Sequence, residues 1–259
     1  MRGWRAGRGR FVRARGLTLA MSRIVLVRHA QASFGSPDYD TLCPNGKEQA
    51  RLLGEHWASR GVAFARAWSG PCVRHAQTAQ IVAEGYRKAG CRFPEVVVMN
   101  EFDEYPGTAV YRAGLPGLLK ESEEARRFHE ALEQSTDPAE RRRWFQKLFE
   151  QVIRKWVSGD LDVDGVERWA EFCARVARGF AKIANNGTPR GDDVVFTSGG
   201  PIGVAMRHAL SLSDMGTLQM TWMSRNTAFA EFVSSADRFV LSAFNAHPHL
   251  NADSLLTYW

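Results

Sequence analysis

Met21-Ser-Arg-Ile-Val-Leu-Val-Arg-His-Ala-Gln31 is the stretch that decides the fold. Ile24–Val27 is a continuous apolar run of strand length, mostly β-branched and closed by Arg23 and Arg28. Such a run predicts a strand buried on both faces, as in parallel sheets covered by helices. A polar loop follows from His29 to about Asn45. Gly46–Arg60 then sets Ala50, Leu53 and Trp57 on one helical face. Ala65–Ser69 and Val96–Met99 predict two more strands. Between them Cys72–Lys88 is helical in character, with Val73, Ala76, Ala79, Gln80 and Ala83 recurring near period 3.6.

From Phe102 to about Arg190 periodic helices replace this alternation, with breakers at Pro106-Gly107, Gly114-Leu-Pro-Gly117 and Asp137-Pro138. Arg141–Val157 carries Trp144, Leu148, Val152 and Trp156 at spacing four, and its polar face is basic. Basic amphipathic helices can lie on membranes or serve as calmodulin-type targets. A helix through Trp169, Cys173, Val176, Phe180 and Ile183 offers a matching apolar face, so packing within the fold is the expectation. Strand character returns at Asp193–Thr197, which ends at a glycine pair, and Pro201 opens a helix through Leu210. Thr227–Val233 and Phe239–Phe244 predict the last two strands. The architecture expected is an α/β three-layer sandwich: a mostly parallel central sheet, helices on both faces, and a helical cap insertion at about 102–190 in a domain spanning 21–259.

Composition narrows the function classes. Of 259 residues 44% are hydrophobic and 24% charged, as in ordinary globular proteins. No apolar run approaches the roughly 18 residues of a membrane span. Cys43, Cys72, Cys91 and Cys173 lie far apart with no CxxC pair, so neither a zinc ribbon nor a disulfide scaffold is implied, and a reducing cytoplasm is the expected compartment. The formal charge of +6 sits in residues 1–20, which hold six arginines and no acid; without those six, 28 basic residues face 28 acidic ones. A transit peptide or a nucleic-acid arm would fit that leader. The blander expectation is an extension outside the fold, because strand character begins right after Met21. No nucleic-acid or membrane partner is expected; a homodimer is left open.

The chemistry collects at three strand ends. The first strand ends in Arg28-His29-Ala30, the second leads into Ser69-Gly-Pro-Cys-Val-Arg74-His-Ala-Gln-Thr78, and the fourth runs into Ser198-Gly199-Gly200-Pro201. Ligands of open α/β sheets gather at the carboxyl ends of strands. Two guanidinium groups there fork onto an anion with several oxygens, and a glycine pair ahead of a helix adds N–H donors. An imidazole among them is placed to attack phosphorus. The residues alone predict an oxyanion pocket holding a histidine.

These segments resemble the histidine phosphatase superfamily, also called phosphoglycerate mutase-like. The likeness lies in Arg28-His29-Ala30-Gln31, Arg74-His-Ala-Gln-Thr78-Ala79, Asn100-Glu101 and Ser198-Gly-Gly-Pro-Ile, each beside a predicted strand end. It extends to Gly46-Lys-Glu-Gln49-Ala50, Phe244-Asn245 and His249-Leu250, covering about residues 22–101 and 192–250 and skipping the cap. The resemblance implies that His29 takes a phosphoryl group as phosphohistidine. It further implies that Arg28, Arg74, Ser198 and Gly199 bind phosphate and that Glu101, its pKa raised beneath the cap, protonates the leaving oxygen. Asp103 and Glu104 are its rivals. No cofactor and no metal are expected.

Three positions depart from the family pattern. Ser198 stands where a second histidine is usual, Ala30 where glycine is, and Gly35 where many members have asparagine, with Ser33 a substitute. Losing one such charged stabiliser costs about 100- to 1,000-fold in rate. His247, His249 and His75 are candidates to restore the charge, and Ser198→His is expected to raise turnover. The function expected is a metal-independent phosphomonoesterase acting on a small phosphorylated metabolite, its activity reduced by Ser198. The alternatives are a phosphoglycerate mutase-type phosphotransferase and a phosphate-binding pseudoenzyme.

Overall fold

The computed structural model describes residues 22–33, 40–185, 191–235 and 238–258. The Arg-rich extension and Gly35 lie outside the described residues. Six strands form one sheet: β1 (Ser22–Arg28), β2 (Arg66–Ser69), β3 (Val96–Val98), β4 (Asp193–Thr197), β5 (Phe229–Ser235) and β6 (Arg238–Ala246), in the order β3-β2-β4-β1-β5-β6. From β3 to β1 neighbours run parallel, while β5 is antiparallel to β1 and β6 to β5. The sheet is thus mostly parallel, with an antiparallel margin.

The period-2 geometry of β1 divides its side chains between two cores. Val25 and Val27 pack in one cluster with Leu53 and Trp57 of α1 (Pro44–Ser59) and Val82 of α2 (Val73–Lys88). Ile24 and Leu26 point the other way, into a cluster with Ile202 and Met206 of α7 (Gly199–Leu210) and with the cap. All four are at most 2% exposed. Full burial of such side chains contributes about 1.5–3 kcal/mol each, which fixes the register of the strand that carries Arg28 and His29.

Between β3 and β4 come α3 (Gly107–Glu121), α4 (Glu123–Gln134), α5 (Pro138–Ser158) and α6 (Trp169–Asn185). Asp137 caps α5 by accepting the Ala139 N–H at 2.9 Å, Pro138 occupies the first turn, and Gly159 ends the helix at φ 83°. The apolar stripe of α5 packs within the fold, chiefly on α3, α4 and α8 (Asp214–Met223). The helix expected as its partner, α6, meets it at Trp156 and Trp169, whose rings are 5.5 Å apart. Gly114 and Pro116 do not break α3 as their composition suggests. Gly114 faces Val152 and Leu161, where a Cβ would overlap both, so glycine serves close helix packing there. Among the described residues no helix is long and apolar enough to cross a membrane.

Candidate active site

Because β1 lies beside β4, Arg28 and His29 leave the sheet next to Thr197 and Ser198. The His29 N–H donates to the Thr197 carbonyl at 2.7 Å, and the Asn226 side-chain amide donates to the His29 carbonyl at 3.0 Å. The His29 ring is buried, with Nδ1 2.8 Å from the Ala30 carbonyl. A carbonyl only accepts, so the proton resides on Nδ1 and Nε2 keeps its lone pair. Burial holds the His29 pKa well below the ordinary imidazole range, reinforced by the positive charges of Arg74 and Arg28. The ring is therefore neutral, as a nucleophile must be.

The second strand leads to the second arginine. Gly70 N–H bonds the Phe196 carbonyl at 2.9 Å, and α2 begins three residues later, which sets Arg74 in its first turn. Arg74 is buried; Nη1 donates to Asp40 Oδ1 at 2.5 Å and Nη2 to Ser198 Oγ at 3.4 Å. Arg28 reaches the Ser224 carbonyl through Nη1. Arg28, His29, Arg74 and Gly199 line one cavity of about 720 Å³ beneath the cap. Tyr105, Phe145, Phe149, Trp222 and Tyr258 also line it, together with Arg112.

The carboxylates are arranged differently from the expectation. Glu101 lies outside this cavity, in a short 3₁₀ turn (Asn100–Phe102), and ion-pairs with Lys182 of α6. The hydrogen bond from Lys182 lowers its pKa, opposite to what a proton donor needs. Glu104 lines the cavity instead. Glu104 is half-buried, and the desolvation of its carboxyl raises its pKa. Both of its oxygens accept backbone amides, Oε1 from Tyr105 at 2.9 Å and Oε2 from Gly200 at 3.2 Å. These bonds favour the charged form and are outweighed by burial. Gly200 thus spends its amide on Glu104. Asp103, the other rival, also lines the cavity and accepts from the Cys72 thiol at 3.1 Å.

Ser198 is fully buried at the head of α7, and its hydroxyl lies 2.6 Å from His75 Nε2. The His75 ring in turn stands 5.7 Å, centre to centre, from that of His29. The other two histidines proposed to restore charge are elsewhere. His249 Nε2 bonds the Thr227 hydroxyl at 2.9 Å, and His247 bonds Arg225 at 2.7 Å. Neither lines the cavity. Among the described residues no group of three His, Cys, Asp or Glu is placed to hold a metal ion.

Comparison with known proteins bears on the fold. The chain covers 88% of its length against a phosphoserine phosphatase from Entamoeba histolytica in complex with 3-phosphoglyceric acid, at 19% identity and a TM-score of 0.58 over 99% of that chain. A phosphoglycerate mutase from Bacillus anthracis superposes with a TM-score of 0.58 at 14% identity, covering 88% of this chain and 95% of that one. A putative alpha-ribazole-5'-P phosphatase from Escherichia coli gives 0.59 at 16% identity, over 87% and 97%. At these identities the likeness is one of fold. No curated protein matches the chain. The sequence model of the histidine phosphatase superfamily (branch 1) matches residues 24–112 and 126–247, most of the chain, and to that superfamily the chain belongs.

Proposed function

We propose that this chain is a cytoplasmic, metal-independent phosphomonoesterase that works through a phosphohistidine at His29 on small phosphorylated substrates. The observation that carries the reading is the convergence on one cavity of a neutral imidazole, two guanidinium groups and a carboxyl of raised pKa. His29 Nε2 attacks phosphorus in line while the bond to the leaving oxygen breaks. Arg28 and Arg74, with the Gly199 edge of α7, balance the charge on the non-bridging oxygens. Glu104, in place of Glu101, gives its proton to the leaving oxygen. Its carboxylate then takes a proton from the water that attacks the phosphohistidine, which releases phosphate and restores the acid.

The aromatic lining suits a leaving group with an apolar or aromatic body. Four unpaired cysteines accord with a reducing compartment. A second reading, a phosphate-binding module without turnover, draws on Arg74 being already held by Asp40. Hydrolysis of p-nitrophenyl phosphate by wild type and His29→Ala between pH 5 and 8 separates the two. Turnover lost in the variant, with an acid-labile phosphoryl label on the wild type, is the expected result; equal rates would refute the enzyme. Conversion of 3- to 2-phosphoglycerate in the presence of a bisphosphorylated primer would instead reveal a mutase.

A further inference from the structure

We propose that His75, acting through the Ser198 hydroxyl, is a positioning residue that holds the Arg74 guanidinium facing the phosphoryl seat. The inference rests on the phosphate-binding part of the proposed function and adds a residue to it.

Three observations carry it. First, His75 and Ser198 are both fully buried, and their contact is the short one: 2.6 Å between Nε2 and Oγ, against 3.4 Å from Arg74 Nη2 to the same oxygen. A serine hydroxyl has one donor and two acceptor positions, so a single Ser198 oxygen can serve both neighbours. Second, the His75 ring is clamped from behind, because a Cβ on Gly70 would overlap its Nδ1. The ring thus backs onto the Gly70 backbone, and its Nε2 meets the hydroxyl that also meets Arg74.

Third, the Arg74 guanidinium reaches both Asp40 and Ser198. Arg66, by contrast, closes a two-oxygen fork on Asp193, at 2.6 and 2.7 Å. Asp40 instead divides its oxygens, Oδ1 to Arg74 Nη1 and Oδ2 to the Val73 N–H at 2.7 Å. Arg74 Nη2 turns to Ser198, so the guanidinium spans the gap between Asp40 and the head of α7. That span places it on the cavity wall beside His29, where a guanidinium can meet phosphate oxygens.

The groups that face His75 are Arg74 on its own helix, His29 at the end of β1, Ser198 before α7 and the Gly70 backbone after β2. Its pKa is held well below the ordinary range by burial, then by Arg74. The ring therefore acts as a neutral hydrogen-bonding partner near neutral pH.

Inorganic phosphate, titrated calorimetrically onto the full chain, tests the inference without turnover. His75→Leu and Ser198→Ala should each weaken phosphate binding about tenfold or more, the size expected for losing a hydrogen bond to a charged group. The double variant should be no weaker than the worse single one, because both remove the same link. His75→Gln, which keeps a polar nitrogen near the position of Nε2, should recover most of the affinity. In an Arg74→Lys background, Ser198→Ala should change little. Additive losses, a Gln variant as poor as Leu, or undiminished phosphate binding would each overturn the inference. Should His75→Leu fail to fold, Ser198→Ala with and without Arg74→Lys decides it. Failure of the phosphohistidine reading would show separately, as turnover that survives His29→Ala.

Discussion

Gly200 and Glu104 are fitted to one another: the Gly200 amide donates to Glu104 Oε2 at 3.2 Å, and a Cβ on Gly200 would overlap Oε1. The absence of a side chain at the head of α7 is what lets a carboxyl stand beside the phosphoryl seat. Glu104→Gln is expected to lower kcat about 100-fold or more on alkyl phosphates, the usual size of a lost general acid. The loss should be smaller on p-nitrophenyl phosphate, whose leaving group needs less help. Glu101→Gln should stay within about twofold of wild type on both. A loss in Glu101→Gln with Glu104→Gln near wild type would return the acid to Glu101.

The raised pKa of Glu104 gives the pH dependence its sign. The acid form is the active one, so kcat should fall as pH rises through the raised value, and that limb should vanish in Glu104→Gln. The fold also favours the proton. This carboxyl's contribution to stability is complete below its ordinary unfolded value and is lost as pH rises through the folded one. Urea unfolding should therefore find Glu104→Gln stabilised relative to wild type more at pH 8 than at pH 4.

Buried imidazoles shape acid stability in the opposite direction. His29, His75 and His249 all have lowered pKa values, His249 at about 3, with burial the leading cause in each. In the unfolded chain each takes a proton near pH 6.5. Their contribution is therefore complete above that value and declines below it, by up to about 1.4 kcal/mol per pH unit for each ring. Urea midpoints should drop steeply from pH 6.5 to 5, and His249→Gln should flatten that slope. A slope unchanged by the substitution would show that this ring titrates freely in the fold.

Ser198→His, which the sequence alone favours as a gain in turnover, meets an obstacle in the structure. Ser198 has no exposed surface, and the space beyond its hydroxyl is filled by His75. An added imidazole there overpacks the junction of α2 and α7. The single variant should lose kcat/KM on p-nitrophenyl phosphate, and pairing it with His75→Ala should recover part or all of that loss. A single variant faster than wild type would show that the pocket opens to admit a second ring.

Much of this arrangement could be read before any coordinates. Ile24–Val27 declares a doubly buried strand, and the order of Arg28-His29, Arg74 and Ser198-Gly199 at strand ends points to one anion pocket. The acid was not legible to the same degree. Glu101, Asp103 and Glu104 fall within four residues, and which of them faces the cavity depends on Lys182 and Gly200, about 80 and 96 positions away. Sequence spacing carries no trace of such contacts. His75 was visible only as one of three spare histidines, since its pairing with Ser198 joins α2 to α7 across 123 residues. Gly114 and Pro116 look like punctuation because their composition is that of a turn, yet close packing against α5 keeps the helix continuous.

The strand order has a consequence for how the chain comes together during synthesis. β1 is the earliest strand among the described residues, yet it pairs with β4 and β5, the fourth and fifth. Until residue 193 has left the ribosome, this buried apolar strand has neither lateral neighbour and shows two bare edges. Pairing across such long separations is slow, and unpaired apolar ribbons invite association between nascent chains. The same central placement that shelters His29 in the finished protein leaves its strand without a lateral partner for most of the time the polypeptide is being made.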